Sequence, residues 1–186
     1  QTFVALGMTA ILVLVNDFGT ETVAAFTAAG TLDAFAAMPA MAISVAIATF
    51  VGQNIGANKL ERVRKGFIST LIISSSISVV VSAIMILFGK QMLGLFTSDP
   101  EVIKIGYSYL IIVSSFYILF SFMFTTNGAL RGAGDTLIPM FITLIALWGL
   151  RIPLSWFLSR PDMGLGSDGI WWGIPIAWLF GAVASY

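Results

Sequence analysis

Apolar residues run in long blocks along this chain, and polar residues fall in short clusters between them. Six blocks stand out, at 1–16, 23–57, 67–89, 102–129, 136–158 and 169–186. A run of about 20 apolar residues is long enough to cross a bilayer as a helix. Strict alternation of apolar and polar residues is absent, which argues against a β-barrel. The pattern therefore predicts an all-α integral membrane protein, a six-transmembrane-helix bundle forming one domain over 1–186. The second block is long for one span and predicts tilt, a kink or an interfacial first turn. The chain starts and stops inside apolar runs and carries no signal-peptide pattern. It reads as a piece of a longer protein.

The breaks carry helix punctuation. Ser98 and Glu101 have capping-box spacing, and Pro100 suits a first helical turn. Arg131-Gly132-Ala133-Gly134-Asp135 predicts a tight turn, with each charge placed favourably against a helix dipole. The glycine-rich stretch at 164–169 predicts a loop. These connections are too short to hold a soluble domain.

Composition narrows the chemistry. Of the 186 residues, 58% are hydrophobic and 10% charged, against about 25% charged in a soluble domain. Net charge is zero, so there is no electrostatic case for nucleic acid as a partner. Cysteine and histidine are both absent, which removes disulfides, the usual zinc ligand and the commonest general base. No phosphate-binding glycine loop is present, and no base accompanies the serines. The chain does not read as an enzyme, and no cofactor is expected. Basic residues orient it in the cell membrane. Lys59, Arg62, Arg64, Lys65 and Arg131 outnumber Lys90, Lys104 and Arg160 on the other side, so loops 58–66 and 130–135 should be cytoplasmic.

Asp33 is the principal candidate for function. It lies about ten residues into the second block, roughly 15 Å along a helix. A carboxylate at that depth should face protein or water, and its neighbours Ala29, Gly30, Ala36 and Ala37 are small. One reading is a site for a proton, for Na⁺ or for a cationic substrate. The other places Asp33 at the membrane interface, near the start of a helix that begins late. Pro39 removes a helical donor and frees the carbonyl near Phe35, either as a gating point or as a static kink. Gln53 and Asn54, near the end of the same block, fit an inner gate or ordinary helix-end hydrogen bonding.

Two hydroxyl stripes follow. Ser74, Ser78 and Ser82 recur every fourth residue in the third block, a pattern that lets membrane helices pack closely. Ser114, Tyr117, Ser121 and Thr125 form a face in the fourth. There an aromatic and hydroxyl surface suits an organic cation, or again serves packing. Arg151 reads as a snorkelling residue between Trp148 and Trp156.

The segment from Met38-Pro39-Ala40 to Phe50-Val51-Gly52-Gln53-Asn54-Ile55-Gly56-Ala57 resembles the multidrug and toxic compound extrusion (MATE) family. So does Asn127-Gly128-Ala129-Leu130-Arg131-Gly132-Ala133-Gly134-Asp135-Thr136 with Pro139. The start at Ser98 to Val102 and the pair Tyr109-Leu110 fit as well. The resemblance implies one lobe, the C-terminal one, of a twelve-helix pseudo-symmetric transporter whose N-terminal lobe would be its partner. It implies an antiporter that exports cationic amphipathic drugs while Na⁺ or H⁺ enters, with Asp33 carried over as a cation- or drug-binding position. Some relatives carry a coupling acid in the fourth helix, and here none stands between Ile105 and Leu130. Two other classes fit a helical membrane protein: a flippase for a lipid-linked precursor, and a non-transporting scaffold subunit. The flippase should have a more cationic cavity, and Arg151 is the one intramembrane cation candidate.

Overall fold

The structure, a computed structural model, describes residues 2–185, with the side chain of residue 2 left out. It is helical throughout, with no strand among the described residues. The helices are α1 (Thr2–Asn16), α2 (Thr20–Gly56), α3 (Leu60–Leu93), α4 (Pro100–Ser114), α5 (Tyr117–Gly132), α6 (Leu137–Leu144), α7 (Ile152–Leu158) and α8 (Asp168–Ala184). A π-helical stretch, Ile145–Arg151, joins α6 to α7 without interrupting the rod. Three rods are long and apolar enough to cross a membrane: α2, α3 and α6 through α7. The bent pair α4 and α5 makes a fourth. The described parts of α1 and α8 are shorter apolar helices. The six expected segments thus correspond to six rods, and the chain is a multi-pass membrane protein.

The fourth segment departs from its expected continuity. It breaks at Ser115 and Phe116, and the two halves meet at 52°. No proline or glycine marks the break. Instead Ser114 and Ser115 turn their hydroxyls back onto the carbonyls of Leu110 and Ile111, an arrangement that bends helices. The π-helical stretch has a different cause. Pro153 has no N–H to offer the carbonyl of Gly149 and crowds it. Just before it, the Ile152 N–H reaches back five residues to Leu147, which relieves the conflict by widening the turn.

Two boundaries also differ from expectation. The cap of α4 is Asp99, not Ser98: its carboxylate accepts from the N–H groups of Glu101 and Val102, at 2.9 and 3.4 Å. A carboxylate reaches these donors more favourably than a serine one residue further out. The loop expected at 58–66 is much shorter, because α3 already begins at Leu60. Arg62, Arg64 and Lys65 lie on its first turns, where Glu61 pairs with Lys65 at 3.4 Å. With 37 and 34 residues, α2 and α3 run to about 50 Å or more, so their ends project beyond a hydrocarbon core of about 30 Å.

The first and fifth connections lie at one end of the bundle, the second and fourth at the other. Asp17 and Phe18 share a pocket with Ser159, Arg160 and Gly166, so the first and last connections lie together. At the opposite end, Ile55 and Arg64 share a pocket with Ala133 and Ser185.

The tightest crossing joins α2 to α5. A Cβ on Gly128 would collide with the Ser44 carbonyl, and one on Gly132 with the Ala48 carbonyl. Only glycine permits this backbone approach. Ser44 donates to the Phe124 carbonyl at 2.6 Å and accepts from Arg131 at 2.8 Å. Arg131 therefore does more than end a helix: it clamps the crossing. The turn that follows forms as expected, with Gly134 at φ 96° and Asp135 capping Leu137 and Ile138.

Candidate functional site

From Thr20 to Asp33 is 13 residues of continuous helix, about 20 Å. The helix does not start late, so Asp33 is not near a helix N-terminus. Its carboxylate is held by two phenols. Tyr117 donates to Oδ1 at 2.6 Å, and Tyr109 donates to Oδ2 at 3.3 Å. Both tyrosines are almost fully buried, at 4% and 3% exposed. Asp33 itself is only half-buried. Each carboxylate oxygen has two acceptor positions, so both keep one free.

Packing fixes the phenols. Tyr109 stands edge-on to Phe26 and to Trp171, with ring centroids 6.0 and 5.2 Å away, and Trp171 stacks on Phe26 at 5.6 Å. Such aromatic contacts add to the apolar area they bury. Tyr117 leans on Trp178 at 6.2 Å. The acid is thus presented by a rigid aromatic bed contributed by α2, α4, α5 and α8.

Asp33 opens onto a cavity of about 690 Å³, lined also by Met8, Phe35, Met38, Tyr109, Arg151 and Trp178. This is the size of pocket that takes a drug-sized molecule. Thr27 and Thr31 line it too, but each donates its hydroxyl to its own helix. Phe35 carries the carbonyl that lacks a helical donor because residue 39 is proline. The helix nonetheless continues through Pro39.

The other sequence candidates scatter. Ser114 and Ser121, grouped with Tyr117 by spacing, do not line this cavity. Both are fully buried and bond their own helix at Leu110 and Ile118. Ser114 instead meets Ser78 and Ser82 across a smaller gap of about 290 Å³, so the two hydroxyl stripes pack on each other. Gln53 is exposed, and its carbonyl accepts from Ala57. Asn54 donates to the Phe50 carbonyl at 2.8 Å, while its own carbonyl accepts from Lys59. Both hydrogen-bond within the end of α2.

Two members of the site were named in the sequence without being assigned to it. Tyr109 was noted only in the pair Tyr109-Leu110, and the break between α4 and α5 hides its relation to Tyr117. Arg151 was expected to snorkel outward. It lines the cavity instead, at the end of the π-helical stretch. Nothing in the local pattern near Asp33 points to it.

The fold is a bundle of membrane-spanning helices with an acid held by two tyrosines beside an internal cavity. The chain belongs to the MatE family, whose sequence model matches residues 1–157. The family consists of transporters, not enzymes. The probable multidrug resistance protein YpnP of Bacillus subtilis is 37% identical over 180 residues, 97% of this chain and 40% of that protein. The probable multidrug resistance protein NorM of Thermotoga maritima is 38% identical over 141 residues, 74% of this chain and 29% of that protein. Among solved structures, a MATE protein in the bent conformation superposes with a TM-score of 0.92 at 22% identity, over 100% of this chain and 41% of that one. A MOP superfamily transporter from Pyrococcus furiosus superposes with a TM-score of 0.90 at 21% identity, over 99% of this chain and 41% of that one. The chain therefore spans about two-fifths of the length of the relatives it matches, the extent of one lobe.

Proposed function

We propose that this chain is the C-terminal lobe of a cation-coupled antiporter that exports cationic amphipathic compounds by alternating access. The observation that carries this reading is Asp33, a half-open carboxylate on a partly aromatic cavity. Phe26, Phe35 and Trp178 line the same cavity, and aromatic ring faces attract organic cations. A proton or Na⁺ and the cationic substrate compete for the same carboxylate. Competition couples the two fluxes, because a ligand shifts a conformational equilibrium only through unequal affinity for the two states. The cavity is completed by a second lobe.

Arg151 in the same cavity is the feature that would favour the flippase reading. With Asp33 also present, the two charges sum to zero, whereas a lipid-linked diphosphate calls for a net positive cavity.

The test is dye efflux by the full-length protein, at matched expression, under an imposed pH or Na⁺ gradient. Asp33→Asn keeps the shape and removes the charge, and it should abolish efflux or reduce it strongly. Asp17→Asn, in the exposed first connection, should transport normally. Wild-type efflux by both variants would remove Asp33 from the mechanism.

A further inference from the structure

Arg151 has a surplus of donors. A guanidinium carries five N–H groups and accepts nothing. Here its Nη1 meets the Met8 thioether at 3.5 Å, a weak acceptor. Its Nε is buried with no partner. Among the described residues, the ion pairs are Glu61–Lys65 and Glu101–Lys104, so Arg151 and Asp33 are not in direct contact. Yet both line the same cavity of about 690 Å³.

An arginine within a spanning helix is costly. Arg151 closes the π-helical stretch. Such widened turns are rare and frequent at functional sites. A negative group and a positive group face one space without neutralising each other directly, with Met8, Leu12 and Ile174 as apolar wall.

We propose that Arg151 makes this cavity selective for zwitterionic amphiphiles, with the ligand's cationic group at Asp33 and a carboxylate or phosphate group at Arg151. The proposal rests on the Asp33 cavity being the substrate site, and it adds the anionic half of recognition. A guanidinium presents a planar fork that matches either anion with two parallel hydrogen bonds. A ligand with both charges satisfies both half-buried groups. A simple cation satisfies Asp33 and leaves the buried Arg151 Nε without a partner, which is penalised.

Rhodamine B and its ethyl ester test this. They share one fluorophore, and the ester differs in lacking the free carboxylate. Binding to purified full-length protein in nanodiscs is read by fluorescence anisotropy, beside efflux of both dyes from cells. Wild type should bind rhodamine B at least as tightly as the ester. Arg151→Gln should weaken rhodamine B about tenfold or more and change the ester by less than about twofold. Arg151→Lys should retain most rhodamine B binding, because it keeps the charge. Equal losses for both dyes, or no loss for either, would overturn the proposal. So would a wild-type protein that prefers the ester, a result that needs no variant to fold. Efflux of the ester without the charge-dependent split would defeat this inference and leave the transport reading standing. The split in binding without efflux would do the reverse.

Discussion

Tyr117 donates its phenolic hydrogen to Asp33 Oδ1 at 2.6 Å, linking the first residue of α5 to the middle of α2. A hydrogen bond to a charged group contributes about 1.5–3 kcal/mol. Tyr117→Phe removes it with little change of shape. Efflux by the full-length protein should fall several-fold, and the melting temperature should drop. Tyr109→Phe, whose bond is longer at 3.3 Å, should do less. In a double-mutant cycle, Tyr117→Phe should add almost nothing to Asp33→Asn. Full additivity would show that the pair does not act together.

The α2–α5 crossing depends on bare backbone. Gly128→Ala should destabilise the protein by about 1–3 kcal/mol, because its Cβ meets a carbonyl that cannot rotate away. Gly56→Ala, with no atom near its Cβ, should be neutral or slightly stabilising. Thermal unfolding in detergent compares them. Equal melting temperatures would mean that the crossing is looser than described.

The chain lacks cysteine, so single cysteines report topology cleanly. Ala57→Cys and Asp162→Cys, both exposed positions at opposite ends of the bundle, should differ in intact cells. Position 162 should react with an impermeant thiol reagent, and position 57 only after permeabilisation. The opposite pattern would invert the protein.

Residues 1–186 alone, reconstituted in liposomes, should show no gradient-driven drug flux, since the proposed cavity needs a second lobe. Robust coupled transport would identify a complete carrier.

Much of this architecture is legible in the sequence because lipid imposes a simple rule: a spanning helix must be long and apolar. Asp33 was legible for the same reason, as a charge where the rule forbids one. The break at Ser115 was not. Serine is common in membrane helices, and its effect depends on which way the hydroxyl turns. Arg151 was visible as a charge in an apolar block, but its place in the Asp33 cavity was not, because the two residues are joined only through the tertiary packing of the bundle. Ser114 and Ser121 were grouped with Tyr117 by helical spacing, which assumed an unbroken rod. The clamp of Arg131 on Ser44 joins distant parts of the chain and leaves no local trace.

The two phenols that grip Asp33 come from opposite sides of the 52° break, Tyr109 from α4 and Tyr117 from α5. One carboxylate therefore acts as a staple across an elbow. Straightening or sharpening the elbow must stretch one arm of the staple, and a cation that draws the carboxylate away loosens both arms at once. The joint's angle and the charge state of a single side chain are thereby mechanically geared.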